Sequence, residues 1–171
     1  MKENINAIYG LVGVLSKIPN VKVRVIDMLE IFKKPILDIK LFQDNIDVVF
    51  ASVEKDVLTR TELQDNAINI IIGIGKYKKV LSPGGIEIFQ NLFNNIIKSK
   101  KETFILIDDY DRIKSLKLEP WYNIINNNKG IWLGKGLSNQ SIFATNELTQ
   151  EDKKYSFNGL AYTITDAKYT V

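Results

Sequence analysis

Four consecutive apolar residues at positions 104–107 are followed directly by two carboxylates, Asp108 and Asp109. An unbroken apolar run predicts a β-strand that is buried on both faces, because a half-buried strand alternates between apolar and polar side chains. Strands buried in this way belong to parallel sheets that are covered by helices. We therefore predict an α/β fold with a three-layer, mostly parallel sheet, in which residues 104–107 form a central strand.

The two acids stand where this strand leaves the sheet. In an open parallel sheet, ligands bind at the carboxyl ends of the strands, so an apolar strand that ends in Asp108 and Asp109 resembles the Walker B strand of a P-loop ATPase. There the first acid holds the magnesium shell and the second polarises the attacking water. The alternative is that the acids occur here because a turn follows the strand. The stretch alone supports both interpretations.

Composition limits the class of protein. The chain has 171 residues, 45% hydrophobic and 25% charged, which fits a single globular domain over residues 1–171. Its net charge of +3 is too small to indicate a nucleic-acid or membrane-surface partner. The absence of Cys and His excludes a thiolate nucleophile, a Ser-His-Asp triad and the usual zinc sites. No apolar run approaches the roughly 20 residues of a membrane span, so we expect a cytoplasmic domain without direct membrane contact.

Hydrophobic periodicity predicts most of the elements. An amphipathic helix is expected over residues 4–17, where Gly10 and Gly13 would allow a close approach to the sheet. Ser82 and Pro83 are typical of a helix start, and an apolar stripe follows them. Residues 68–75 fit a strand better than a buried helix, because the run is short. Further strands are predicted over residues 21–27, 47–52, 131–136 and 141–145. Short helices are predicted near residues 29–32, 54–63 and 120–122. A capping box is predicted at residues 149–152, and a C-terminal antiparallel hairpin over residues 160–171.

Glycines at the end of the 68–75 strand invite comparison with a phosphate-binding loop. The run Gly73-Ile74-Gly75-Lys76 lacks the G-x-x-x-x-G-K-[ST] spacing with which backbone N–H groups wrap phosphates. We therefore do not expect it to bind phosphate.

A helix at residues 4–17 followed by a strand is half of a βαβ unit, which places the missing strand before residue 1.

The chain resembles a known family most clearly over residues 103–140. The resemblance is carried by Asp108-Asp109-Tyr110-Asp111-Arg112, by Glu119-Pro120-Trp121-Tyr122, and by the run Gly-Ile-Trp-Leu-Gly-Lys-Gly-Leu-Ser-Asn-Gln at residues 130–140. These segments are similar to the C-terminal ATPase-like domain of the EssC/YukB family of type VII secretion ATPases, in the FtsK/SpoIIIE superfamily.

The resemblance implies a P-loop NTPase fold of the RecA/FtsK type. It implies a cytoplasmic module of a bacterial cell-membrane protein, in which tandem modules use ATP and Mg²⁺. It also implies that the module recognises secreted WXG100-type substrates and contacts neighbouring ATPase modules. It leaves open whether the parent protein forms a homo-oligomer.

The sequence departs from an active member of this family. The Walker A strand and loop are truncated or absent, and Lys2, followed by Glu3, is a Walker A-like remnant. Glu3 would repel phosphate. Asp109 replaces the longer Glu that polarises water, and Arg112 is a candidate arginine finger that follows the acids closely. Without a phosphate loop, we expect weak or no nucleotide binding and therefore no cofactor and no metal in this chain.

Two functions are compatible with these departures. In the first, the chain is a degenerate module that acts in substrate recognition and in the regulation of secretion. In the second, it is the larger part of an active ATP-hydrolysing motor domain whose P-loop lies upstream. A G-x-x-x-x-G-K-[ST] motif before residue 1 in the parent protein would favour the second function.

Three aromatic residues are the candidates for a partner-binding surface. Trp and Tyr are enriched at interface hot spots because each combines a large rigid apolar area with one polar group. Trp121 and Tyr122 follow Pro120 near the carboxyl end of the predicted central strand, so we expect at least one of them in an exposed apolar patch. Trp132 lies in a predicted strand, where a position in the core is the alternative.

Overall fold

The computed structural model describes residues 5–33, 46–50, 67–96, 102–125, 129–134, 136–144, 161–166 and 168–170. The chain divides into two compact units, Met1–Leu116 and Lys117–Val171. The fold is α/β, with a parallel sheet in the first unit and an antiparallel sheet in the second. A single domain over residues 1–171 stays a prediction, because compact units of this size can belong to one domain or to two.

The described residues of the first unit contain four α-helices and four β-strands. Its helices are α1 (Ile5–Leu15), α2 (Tyr77–Val80), α3 (Pro83–Ile96) and α4 (Tyr110–Ser115), and its strands are β1 (Lys22–Asp27), β2 (Ile46–Phe50), β3 (Ala67–Ile72) and β4 (Glu102–Ile107). Short 3₁₀ turns occupy Ile31–Lys33 and Ile74–Lys76.

The four strands are parallel and have the order β2-β1-β3-β4. The prediction of a central position for β4 is therefore wrong for the described strands, in which β4 is the terminal one and pairs with β3. Its residues 104–107 are partly buried rather than enclosed on both faces. The strand with that environment is β3, whose Ile70, Ile71 and Ile72 are fully buried.

Helix α1 covers one face of this sheet. Ile8 and Val12 on the helix form a buried cluster with Val23, Val25, Ile70 and Ile72 of the central strands. Gly10 lies on the opposite, exposed side, where a Cβ atom would meet nothing within 4 Å. The expectation that Gly10 allows a close approach to the sheet is therefore wrong.

Helix α3 begins as Ser82 and Pro83 predict. The Ser82 hydroxyl accepts a 3.2 Å hydrogen bond from the backbone N–H of Gly85, which supplies one partner for the first turn of the helix. Phe89 and Phe93 on its apolar stripe are buried and lie edge to face, with ring centroids 4.9 Å apart. The Phe89 ring also stacks on Tyr77 of α2. This aromatic pair is part of the core and not a binding surface.

A polar ladder crosses three neighbouring strands of the same sheet. Nη1 of Arg24 on β1 donates to Oδ1 of Asn69 on β3 at 3.4 Å, and Nδ2 of Asn69 donates to Oε2 of Glu102 on β4 at 2.7 Å. All three side chains are at least nine-tenths buried. The amide thus connects a buried cation to a buried anion, which offsets part of the cost of burying each charge.

The second unit contains an antiparallel sheet with the order β5-β6-β7, built from Lys129–Leu133, Ala161–Thr165 and Lys168–Thr170. Strands β6 and β7 form the predicted C-terminal hairpin, with Asp166 in the turn at φ 50°. Leu137, Tyr162 and Ile164 form a buried cluster, against which Trp132 and Phe143 pack.

The predicted strand at residues 141–145 is wrong for the part that the structure describes, residues 141–144. The Gln140 side chain takes the hydrogen bonds that a neighbouring strand would need. Its Oε1 accepts from the backbone N–H groups of Ile142 and Phe143, both at 2.7 Å, and its Nε2 donates to the Phe143 carbonyl at 3.0 Å. This local bonding holds the backbone in a bend.

The helix predicted over 54–63, the capping box at 149–152, Lys2 and Glu3 lie outside the described residues. None of the helices in the described ranges is both long and apolar enough to cross a membrane.

Candidate functional site

The carboxyl ends of β1, β3 and β4 meet at one edge of the parallel sheet. The register aligns Asp27 with Ile72, and Ile72 with Ile107, so the three strands end in one row. The chain leaves β1 for β2 on one side and returns to β3 on the other, which makes the gap between β1 and β3 the topological switch point. Open α/β sheets bind ligands at this position, so this edge is the candidate site.

The switch point is filled by the chain itself. The backbone N–H of Met28 donates to the Ile72 carbonyl at 2.9 Å, which ties the segment after β1 to the end of β3. The Leu29 side chain lies directly against Gly73, in the space that a Cβ atom on residue 73 would occupy. Gly73 also has φ 76°, a conformation that glycine adopts without strain. The position where a ligand would enter therefore holds an apolar side chain.

Asp27 at the end of β1 has a structural role. Its carboxylate is fully buried and accepts backbone hydrogen bonds from Leu29 at 3.0 Å and Phe32 at 2.9 Å. Burial raises the pKa of Asp27, and the backbone hydrogen bonds oppose that rise. Both oxygens are used to hold the turn that leads into Ile31–Lys33, so Asp27 has little capacity left for a ligand.

Asp108 follows β4 directly and is saturated with hydrogen bonds from the chain. Its Oδ2 accepts from the backbone N–H of Gly75 at 2.7 Å, and its Oδ1 accepts from the backbone N–H of Asp109 at 2.8 Å and from Nε of Arg112 at 2.5 Å. The side chain is fully buried. A carboxylate with three donors and no exposed surface is held in one orientation.

Asp109 is the more accessible of the two acids. Its side chain is 39% exposed, and its Oδ2 accepts from Nη2 of Arg112 at 2.5 Å. One guanidinium group therefore pairs with both carboxylates. Helix α4 makes this possible, because residues three and four positions apart lie on the same side of a helical turn and Arg112 is so placed from Asp109 and Asp108.

This arrangement limits the chemistry of the acid pair. Magnesium in nucleotide sites is bound by one or two carboxylates together with phosphates and water. Here the carboxylates of Asp108 and Asp109 both pair with Arg112, and Arg112 points back at the acids rather than outward as an arginine finger would. Across the described ranges, no three or more His, Cys, Asp or Glu side chains are grouped so that they could hold a metal ion.

The turn at residues 73–76 is not a phosphate loop, as its spacing indicated. Ile74–Lys76 form a single 3₁₀ turn. The Gly73 N–H donates to the Ile107 carbonyl at 2.8 Å and the Gly75 N–H to Asp108, so both glycine amides are used within the chain. A phosphate loop needs such amides to point at the ligand.

Two of the three aromatic candidates are buried. Trp121 is 2% exposed and Tyr122 is 8% exposed, so the expectation of an exposed patch at this pair is wrong. Residues 122–124 form a 3₁₀ turn after Pro120, with Trp121 at its N-cap position. Burial raises the pKa of Tyr122. Trp132 is partly buried and packs on the cluster of Leu137, Tyr162 and Ile164, which agrees with a position in the core.

The run at residues 130–140 that carries the family resemblance has a folding role at several positions. A Cβ atom on Gly130 would collide with the Phe143 ring, and Gly134 and Gly136 have φ 84° and 89°. Gln140 holds the bend that follows. Steric contact, backbone conformation and hydrogen bonding within the chain account for these residue types.

Comparison of the chain with protein-family models, with curated proteins and with solved structures gave no match.

Proposed function

We propose that this chain is a binding module that does not hydrolyse nucleotide. The observation that supports this proposal is the saturation of Asp108: its carboxylate is buried and accepts from Gly75, Asp109 and Arg112. A Walker B acid acts through the water shell of magnesium and must present a free oxygen to it. An acid held in this way contributes to the fold instead.

The family resemblance extends the proposal. On the strength of Asp108-Asp109-Tyr110-Asp111-Arg112 and the run at residues 130–140, we assign the chain to the type VII secretion ATPases of the FtsK/SpoIIIE superfamily, as a degenerate P-loop module. The parallel sheet with acids at its carboxyl edge is compatible with that class, whereas the terminal position of β4 adds no support to it. The proposed partners are secreted WXG100-type substrates and neighbouring ATPase modules of a cell-membrane protein.

Isothermal titration calorimetry with ATP and Mg²⁺ tests the proposal. We expect no saturable binding below about 100 µM, an affinity that corresponds to about 5.5 kcal/mol of binding free energy. Saturable binding in that range that is lost in Asp108→Ala would overturn the proposal and favour an ATP-hydrolysing motor domain. A parallel titration with a WXG100-type protein tests the recognition role, and saturable binding of that protein is the expected result.

A further inference from the structure

We draw no further inference here: the strongest candidate, the outward face of the β5-β6-β7 sheet, where Ile131 is 54% exposed beside Thr163 and where Lys129 and Lys168 flank Thr165, carries no proposal because nothing in the described ranges shows what covers it.

Discussion

The side-chain amide of Asn69 donates a 2.7 Å hydrogen bond from Nδ2 to Oε2 of Glu102 on the neighbouring strand, while its Oδ1 accepts from Arg24. The amide orientation is fixed by its two partners, since only the oxygen can accept from a guanidinium and only the nitrogen can donate to a carboxylate. The ladder therefore requires an amide at this position, because neither a carboxylate nor an apolar side chain meets both requirements.

Asn69→Asp should destabilise the protein by about 2–3 kcal/mol at pH 7, because it aims a second carboxylate at Glu102 in a buried site. The cost should be smaller near pH 4, where the carboxyl introduced at residue 69 can hold a proton. Urea unfolding at both pH values measures it. Asn94→Asp on the exposed side of α3 is the control, with an expected change within about 0.5 kcal/mol. Equal effects at residues 69 and 94 would show that the ladder is not stabilising.

Two glycines offer a matched test of the contact between the β3 turn and the acid pair. A Cβ atom on Gly75 would lie 2.7 Å from Cβ of Arg112 and 3.1 Å from Oδ2 of Asp108, whereas one on Gly84 would meet nothing within 4 Å. We expect Gly75→Ala to destabilise the protein by about 1–3 kcal/mol through overpacking. Gly84→Ala, inside α3, should stabilise it by about 0.5–1 kcal/mol. Thermal unfolding of both variants checks the opposite signs, and a stabilising Gly75→Ala would contradict this geometry.

The local elements were predictable from the sequence, and the strand order was not. Strand β3 and helix α3 follow from short-range signals, namely the buried isoleucines at residues 70–72 and the Ser82-Pro83 start. The terminal position of β4 depends on pairing between strands that are far apart in the chain, and an apolar run does not encode its neighbours. The predicted strand after residue 140 was wrong because the Gln140 side chain accepts hydrogen bonds from backbone N–H groups that a neighbouring strand would otherwise bind.

For the candidate site, the sequence predicted the position of Asp108 and Asp109 at the end of a strand, but not their ion pairs and hydrogen bonds within the chain. Parallel strands place their carboxyl ends at one edge, which is why the acids were expected there. Their pairing with Arg112 depends on α4, which was not predicted, although Asp108 and Arg112 have the four-residue spacing of a helical ion pair. The Gly75 hydrogen bond joins residues 33 apart and leaves no local signal.

Tyr9 and Tyr122 provide a second matched pair, because both are 8% exposed but their hydroxyl groups differ. The Tyr9 hydroxyl donates to the Ile31 carbonyl at 2.6 Å, whereas the buried Tyr122 hydroxyl has no hydrogen-bond partner in the part of the chain that the structure describes. Tyr9→Phe should cost about 1 kcal/mol. Tyr122→Phe should be neutral or stabilise the protein by up to about 1 kcal/mol, since it removes a polar group that is buried without a partner. Guanidinium unfolding of each variant measures both values, and a loss at residue 122 as large as that at residue 9 would contradict the assignment.

Asp27 predicts a definite dependence of stability on pH. Burial raises its pKa above the ordinary value of 3.8, so the folded state holds the proton at pH values where the unfolded state has released it. The contribution of Asp27 to stability is therefore greatest below the unfolded pKa and falls as pH rises through the folded one. Asn at this position cannot accept with both side-chain atoms, so Asp27→Asn should destabilise the protein, and by more at pH 3.5 than at pH 7. Urea unfolding of the wild type and of Asp27→Asn between pH 3.5 and pH 7 tests this pH dependence. A destabilisation by Asp27→Asn that grows with pH would contradict it.

The Gln140 side chain makes its three hydrogen bonds with one orientation of the amide, two at the oxygen and one at the nitrogen. Gln140→Glu retains the oxygen that accepts from Ile142 and Phe143 but replaces the nitrogen with a second oxygen, which faces the Phe143 carbonyl. At pH 7 these two oxygens repel each other, and we expect a loss of about 1–3 kcal/mol.

When the carboxyl group introduced by Gln140→Glu is protonated, its O–H can donate to the Phe143 carbonyl, as the amide does in the wild type. The cost should therefore shrink to less than about 1 kcal/mol near pH 3.5. Asn123→Asp, an exposed position in the same unit, adds the same charge without this contact and should show little change with pH. Unfolding curves for both variants at pH 7 and near pH 3.5 measure the free energy of unfolding that this prediction concerns. A pH-independent cost for Gln140→Glu would mean that the amide nitrogen does not hold the bend, and that the bend depends on the oxygen alone.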